Sequence, residues 1–194
     1  MTKILEQNLK KCDELDPSII EPTKEAVIAA FDKNMFFTIS EARRTYERQC
    51  LLFSQGRTKS EIMRNVFPYG FFLNSKQMKD MLKIYDEGKN LHGTKVTWTL
   101  DSDHIKGLAI DVYPQNTTYT ELALFWTKWG ITHPYIQDKP HFNLSSIKSL
   151  NPKINQTPSA RLGALSRALL RNLRPEVRSV IEREYKILRS RLGV

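Results

Sequence analysis

Cysteine is almost missing from this sequence. Only Cys12 and Cys50 occur in 194 residues, far apart and without C-x-x-C spacing. That argues against a disulfide framework and against a thiolate zinc site, and both thiols are expected to be reduced. Long apolar runs are missing too, and none approaches the ~20 residues of a membrane-spanning helix. The opening residues MTKILEQNLKKCDEL lack the uninterrupted apolar stretch and the small-residue cleavage site of a secretory signal. The expectation is a protein made and kept in the cytoplasm until something releases it. No internal repeat and no low-complexity tract interrupts the chain.

What is present reads as a folded chain. Hydrophobic residues make up 40% and charged residues 26%, which places the sequence among globular rather than disordered chains. The net charge is +9, but residues 151–194 hold two Lys, eight Arg and three Glu, so +7 of it lies there. The body is close to neutral, and any argument from charge concerns the tail alone.

Hydrophobic periodicity predicts a helix entered at Pro22 and Thr23, with Val27, Ile28, Ala30 and Phe31 on its apolar side. MFFTIS reads as a short strand. ARRTYERQCLLFSQGR reads as a helix burying Tyr46, Cys50 and Phe53 and stopped by Gly56, and SKQMKDMLKIYDEGK as another ended by Gly88. TKVTWTL alternates as a strand with Val96, Trp98 and Leu100 on one face. LAIDVYP follows as a second strand, TELALFWTKWG as a helix and HFNLS as a last short strand. SLNPKINQTPSA, with two prolines, reads as a linker. Two amphipathic helices follow, roughly 160–173 and 175–192, split by Pro175.

The LAIDVYP strand sets the chemical question. Leu108, Ile110 and Val112 share one face, and Ala109, Asp111 and Tyr113 the other. A carboxylate in a half-buried strand is costly without a partner, and a metal ion is one such partner. His104 stands seven residues before Asp111, and His141 follows Asp138 by three in QDKPHFNL. Two imidazoles and one carboxylate leave a fourth position on Zn²⁺ open for water, as in catalytic zinc sites. A second carboxylate outside the metal shell can take the proton from that water, and Asp138 stands close to His141 in sequence. A cation is then needed at the oxyanion of a tetrahedral intermediate, and ARRTYERQ offers Arg43 and Arg44.

SDHIKGLAID matches the S-x-H-x-x-G-x-A-x-D signature of the zinc D-alanyl-D-alanine carboxypeptidase and L-alanyl-D-glutamate endopeptidase family. DKPHF resembles the D-x-P-H-F segment of the phage endolysins in that family, and RRTYERQCLLFSQGRTK their R-[ST]-x-E-x-Q…QGRT region. The resemblance covers about residues 19–145, with a longer segment at 59–95 than the shortest members have. It implies an α+β fold of the Hedgehog and D,D-peptidase type, a small antiparallel sheet with flanking helices, followed here by a C-terminal helical extension. It also implies that His104, Asp111 and His141 ligate zinc, that Asp138 is the general base and that Arg44 steadies the oxyanion. Ser102, Gln49 and Arg57 match positions that hold the substrate, although Arg57 is also placed to cap the carbonyls ending the preceding helix.

The remaining candidates read as structural. His92 and His133 are expected not to ligate metal, Trp126 and Trp129 to lie in the core, and Asp101 and Asp103 to shape a turn. Domain boundaries are expected at 1–148 for a zinc peptidase domain, 149–159 for a linker and 160–194 for a basic amphipathic extension. The tail is expected to pack on the domain or on another copy, or to bind an anionic envelope surface. Nucleic acid is the weaker partner, because only Tyr185 interleaves with the arginines. The function these residues and the resemblance imply is a zinc-dependent peptidoglycan endopeptidase, an endolysin cleaving the L-alanyl-D-glutamate bond of the stem peptide. Such an enzyme is stored in the host cytoplasm and acts on the wall after release. A D-alanyl-D-alanine carboxypeptidase and a non-catalytic wall-binding module that contains zinc are the alternatives.

Overall fold

The structure of the chain, a computed structural model, describes residues 2–133, 138–150, 175, 177–180, 182, 183 and 186. In order its elements are α1 (Thr2–Cys12), α2 (Ile20–Asp32), β1 (Phe37–Glu41), α3 (Tyr46–Ser54), α4 (Lys59–Arg64), α5 (Ser75–Asp86), α6 (Asp103–Lys106), β2 (Ala109–Pro114), α7 (Tyr119–Trp126) and β3 (His141–Asn143). The architecture is α+β, with a small open antiparallel sheet and flanking helices. Chain contacts group these elements into two compact units, Met1–Ala42 with Gly107–Val194 and Arg43–Lys106.

In the first unit the strands lie in the order β1-β2-β3, all antiparallel. The alternation expected of β2 holds from Ile110 to Tyr113, where Ile110 and Val112 are buried, Asp111 is half-buried and Tyr113 is exposed, whereas Ala109, expected on the Asp111 face, is buried. Ile110 pairs with Phe142 of β3 and Val112 with Ile39 of β1. The apolar face of the sheet therefore meets the core on all three strands. Three edge-to-face ring contacts run through that core, Phe31 to Phe37 at 5.2 Å, Phe37 to Trp126 at 5.0 Å and Trp126 to Phe142 at 5.1 Å. The outer edge of β1 is covered by buried Asn8 of α1. Its amide donates to the Phe37 carbonyl at 2.8 Å and accepts from the Ile39 N–H at 2.8 Å, which satisfies backbone groups that an edge strand leaves open.

Two features tie later chain to this core. Glu25 on α2 is buried and accepts from Trp129 Nε1, Ser149 Oγ and the Leu150 N–H, at 3.2, 2.5 and 3.1 Å. Val177 and Val180 belong to the same buried cluster as Leu5 and Leu9 of α1, and Arg183 donates to Glu6 at 2.6 Å. For the described tail residues, packing on the domain is what the structure holds. The expected helix at 160–173 and the linker residues from 151 onward lie outside the described residues.

The second unit has its own apolar cluster of Cys50, Phe53, Ile62, Phe67, Leu73, Met81 and Leu100. α3 and α5 lie where periodicity placed them, and Gly56 and Gly88 follow them at φ +69° and +64°. α4 is closed by a reciprocal capping box between Thr58 and Glu61. One expectation fails. TKVTWTL is not a strand, and Val96 and Trp98 are exposed while Leu100 is buried. Its carbonyls are satisfied by side chains rather than by a ladder: Arg57 Nη2 donates to the Thr97 carbonyl at 2.8 Å and Gln49 Nε2 to the Thr99 carbonyl at 2.7 Å. Alternation alone could not distinguish those two ways of satisfying an extended backbone.

A chain ended after Leu150 loses two buried valines, worth about 1.5–3 kcal/mol each. It is expected to melt at a distinctly lower temperature than the full chain in a thermal unfolding scan. An unchanged midpoint shows that residues 177–186 do not support the fold.

Candidate metal centre

The strand ladder brings the first two donors together. Asp111 of β2 is the register partner of His141 of β3, and directly opposed residues of an antiparallel pair project to the same face. Asp111 Oδ1 and His141 Nδ1 are 3.6 Å apart. Donors bound to a tetrahedral zinc at about 2.1 Å stand roughly 3.4 Å from one another, so the observed pair needs little adjustment to share an ion. β1 flanks the same position, with Glu41 opposite Asp111 and Ser40 Oγ donating to the Asp111 carbonyl at 3.2 Å.

His104 lies on the single turn of α6 and is buried. Ser102 opens that turn: its Oγ accepts from the His104 N–H at 3.3 Å and its carbonyl from the Ile105 N–H at 3.0 Å. Gly107 then leaves the helical conformation at φ +72°. Its carbonyl accepts from the Asp16 N–H at 3.1 Å, and a Cβ at this glycine would stand 2.7 Å from the Asp16 nitrogen. The glycine of the H-x-x-G spacing is required both by the positive φ and by that close approach. One donor atom from each of His104, Asp111 and His141 lies within 4.8 Å of the others. Two imidazole nitrogens and one carboxylate oxygen suit zinc with one position open.

Asp138 is exposed and lies outside this donor group, and its carbonyl accepts from the His141 N–H at 3.1 Å. His133 lies outside this donor group. Its Nε2 pairs with the Lys139 carbonyl at 2.7 Å, and its ring lies against Phe142 and Tyr119, at 4.8 and 6.2 Å between centroids. Asp101 and Asp103 both pair with Lys106, at 3.0 and 3.7 Å, around the turn that leads into α6. The cysteines offer no nucleophile, because burial pushes the Cys12 thiol up to about 12 and raises that of Cys50.

Around Arg44 the second unit builds a frame of buried polar groups. The Arg44 N–H donates to the His104 carbonyl at 3.0 Å, and its Nη1 to Gln49 Oε1 at 2.6 Å. Gln49 is fully buried on α3, and its Nε2 donates to Thr97 Oγ1 at 3.1 Å as well as to the Thr99 carbonyl. Arg57 is 5% exposed and donates to the Phe53 carbonyl at 2.6 Å, the capping role read from its place after α3. Its guanidinium lies 4.1 Å from the Phe53 ring centroid, and burial lowers its pKa. Thr97 and Thr99 are the site-supporting residues that sequence reading missed. Their signal, threonines on alternate positions, was absorbed into the strand pattern.

No protein-family model matches the chain, and no curated protein matches it. Among solved structures, the L-Ala D-Glu endopeptidase ChiX of Serratia marcescens is similar at 18% identity, over 75% of this chain and 89% of that chain, with a TM-score of 0.37. A likeness at this level says nothing about the activity of this chain.

His104→Ala, Asp111→Ala and His141→Ala are each expected to lose most bound zinc, because each removes one of three protein donors. Elemental analysis of the purified variants checks this. Undiminished metal in all three places the site elsewhere.

Proposed function

We propose that the chain is a zinc-dependent peptidase that hydrolyses the L-alanyl-D-glutamate amide in the peptide stem of peptidoglycan. The observation that carries the reading is the convergence of His104, Asp111 and His141 into one donor group of two nitrogens and an oxygen, with the acid Asp138 outside it. A structural zinc is closed by four protein ligands, whereas three leave a position for chemistry. When bound, zinc at such a position acidifies water and polarises a carbonyl.

The chain's own residues then divide the work. Asp138 accepts the proton of the attacking water and returns it to the leaving amine, a role open to an exposed carboxylate that does not ligate. Arg44 presents its guanidinium to the oxyanion that develops on the scissile carbonyl. Gln49 and Arg57 act as positioning residues, Gln49 by gripping Arg44 and Arg57 by fixing Thr97. Ser102 sets the turn that aims His104 and stands beside it as a substrate contact. The basic tail adds affinity for an anionic envelope surface, and the place of action is the wall after release from the host cytoplasm.

Two substitutions separate these roles on a soluble stem peptide. Asp138→Asn is expected to keep zinc and lose turnover by roughly a hundredfold or more. Loss of zinc in that variant makes Asp138 a ligand instead. Arg44→Ala is expected to lower kcat, by about 2–4 kcal/mol of barrier stabilisation, because the charge it meets exists only in the transition state. A variant whose sole defect is a raised KM moves Arg44 to ground-state binding. A wild-type chain that leaves the peptide intact at every zinc level rejects the peptidase reading.

A further inference from the structure

The three tryptophans of the chain differ sharply in environment. Trp126 and Trp129 are 0% and 3% exposed, and their indole N–H groups donate to the Ala26 carbonyl and to Glu25. Trp98 is 45% exposed, with Val96 beside it 50% exposed. An exposed indole is not unusual by itself. What sets Trp98 apart is the hydrogen bonding of the segment that presents it.

Residues 95–100 have no strand partner among the described residues, yet buried or paired groups hold them along their length. Lys95 pairs with Glu61 at 2.8 Å, Thr97 is gripped by Arg57 and Gln49, Thr99 by Gln49, and Leu100 is buried in the apolar cluster. The Arg57 guanidinium lies 5.4 Å from the Trp98 ring centroid, within cation–π range. Two of the supports, Gln49 and Arg57, are buried polar side chains whose Nε2 and Nη2 groups are spent on this segment. That is an expensive way to hold a loop with no task. The same Gln49 holds Arg44, whose backbone N–H is bonded to the His104 carbonyl. One hydrogen-bonded frame thus carries the oxyanion arginine, the backbone of a metal-ligand residue and the exposed indole.

We propose that Trp98 is a substrate-contacting residue, with its indole and the neighbouring Val96 forming an apolar ledge against the alanyl part of the stem peptide. The proposal rests on the peptidase reading above and deepens it. Fixed geometry on the frame that positions Arg44 lets the ledge set the register of the peptide relative to the reacting carbonyl. Contact of this kind acts on ground state and transition state alike, so it belongs in KM rather than kcat.

The test uses the zinc-loaded full chain and the soluble stem pentapeptide that begins L-alanyl-D-glutamyl. Trp98→Ala is expected to raise KM about tenfold with kcat held within about twofold, and Trp98→Phe to recover part of the loss. In the Asp138→Asn chain, which binds without rapid turnover, saturating peptide is expected to protect the exposed indole from acrylamide quenching. The buried Trp126 and Trp129 contribute little to that signal. An unchanged KM in Trp98→Ala overturns the proposal while leaving the peptidase reading intact. A raised KM with no protection of the indole also overturns it, since Trp98 then serves only the scaffold. If Trp98→Ala fails to fold, the Phe variant and the quenching measurement still decide. A wild-type chain that does not cleave the peptide rejects the enzymatic reading separately, and absence of protection then rejects the ledge as well.

Discussion

The register of β2 against β3 is the constraint on which the candidate centre depends. Pairing Ile110 with Phe142 buries an apolar couple on one face, and that same register sets Asp111 opposite His141 on the other. Strand side chains alternate with a period of two, so a slip of one residue would turn Phe142 out of the core and His141 away from Asp111. The hydrophobic face therefore enforces the geometry of the polar one. Phe142 is held in turn by its ring contacts to Trp126 and His133. His133 also anchors the Lys139 carbonyl in the turn that leads into β3. Packing around one phenylalanine thus sets both His141 of the candidate donor group and the segment that carries Asp138.

A second kind of order governs the unit that holds Arg44. There the determining residue is a buried polar one, Gln49, whose amide oxygen and nitrogen are both committed to partners. Leaving such groups unmet inside a protein costs about 1–3 kcal/mol each, so the arrangement resists local rearrangement. In the oxyanion role proposed for Arg44, such prior placement means that no reorganisation is required during the reaction. Arg57 extends the principle by crossing from the end of α3 to Thr97.

Much of this was readable from the residues, for reasons that differ from place to place. β2 was legible because its alternation is strict, and α2, α3 and α5 because their apolar positions recur at helical spacing and glycines close two of them. The proximity of His104 and Asp111 was legible because SDHIKGLAID packs histidine, glycine and carboxylate into one turn and one strand. TKVTWTL misled because alternating residues describe an extended backbone without naming its partner. Here the partners are Gln49 and Arg57, 50 and 40 residues away in sequence. α1 went unread although Leu5 and Leu9 are buried, and α4 although T-x-x-E in TKSE is a capping signal. Asn8 and Glu25 could not be foreseen, since a polar residue on a helix does not reveal which distant backbone group it will meet. The packing of Val177 and Val180 on α1 belongs to the same class, a long-range contact invisible to local pattern.

The proposed activity joins one metal site to one bond. Its most direct test is to strip the protein with chelator, restore zinc in steps, incubate each sample with purified peptidoglycan and read the fragments by mass spectrometry. Fragments with a newly free D-glutamyl amino terminus are expected, rising with added zinc and levelling at one equivalent per chain. Fragments released at full rate by the stripped protein would contradict it, as would intact peptidoglycan at every zinc level.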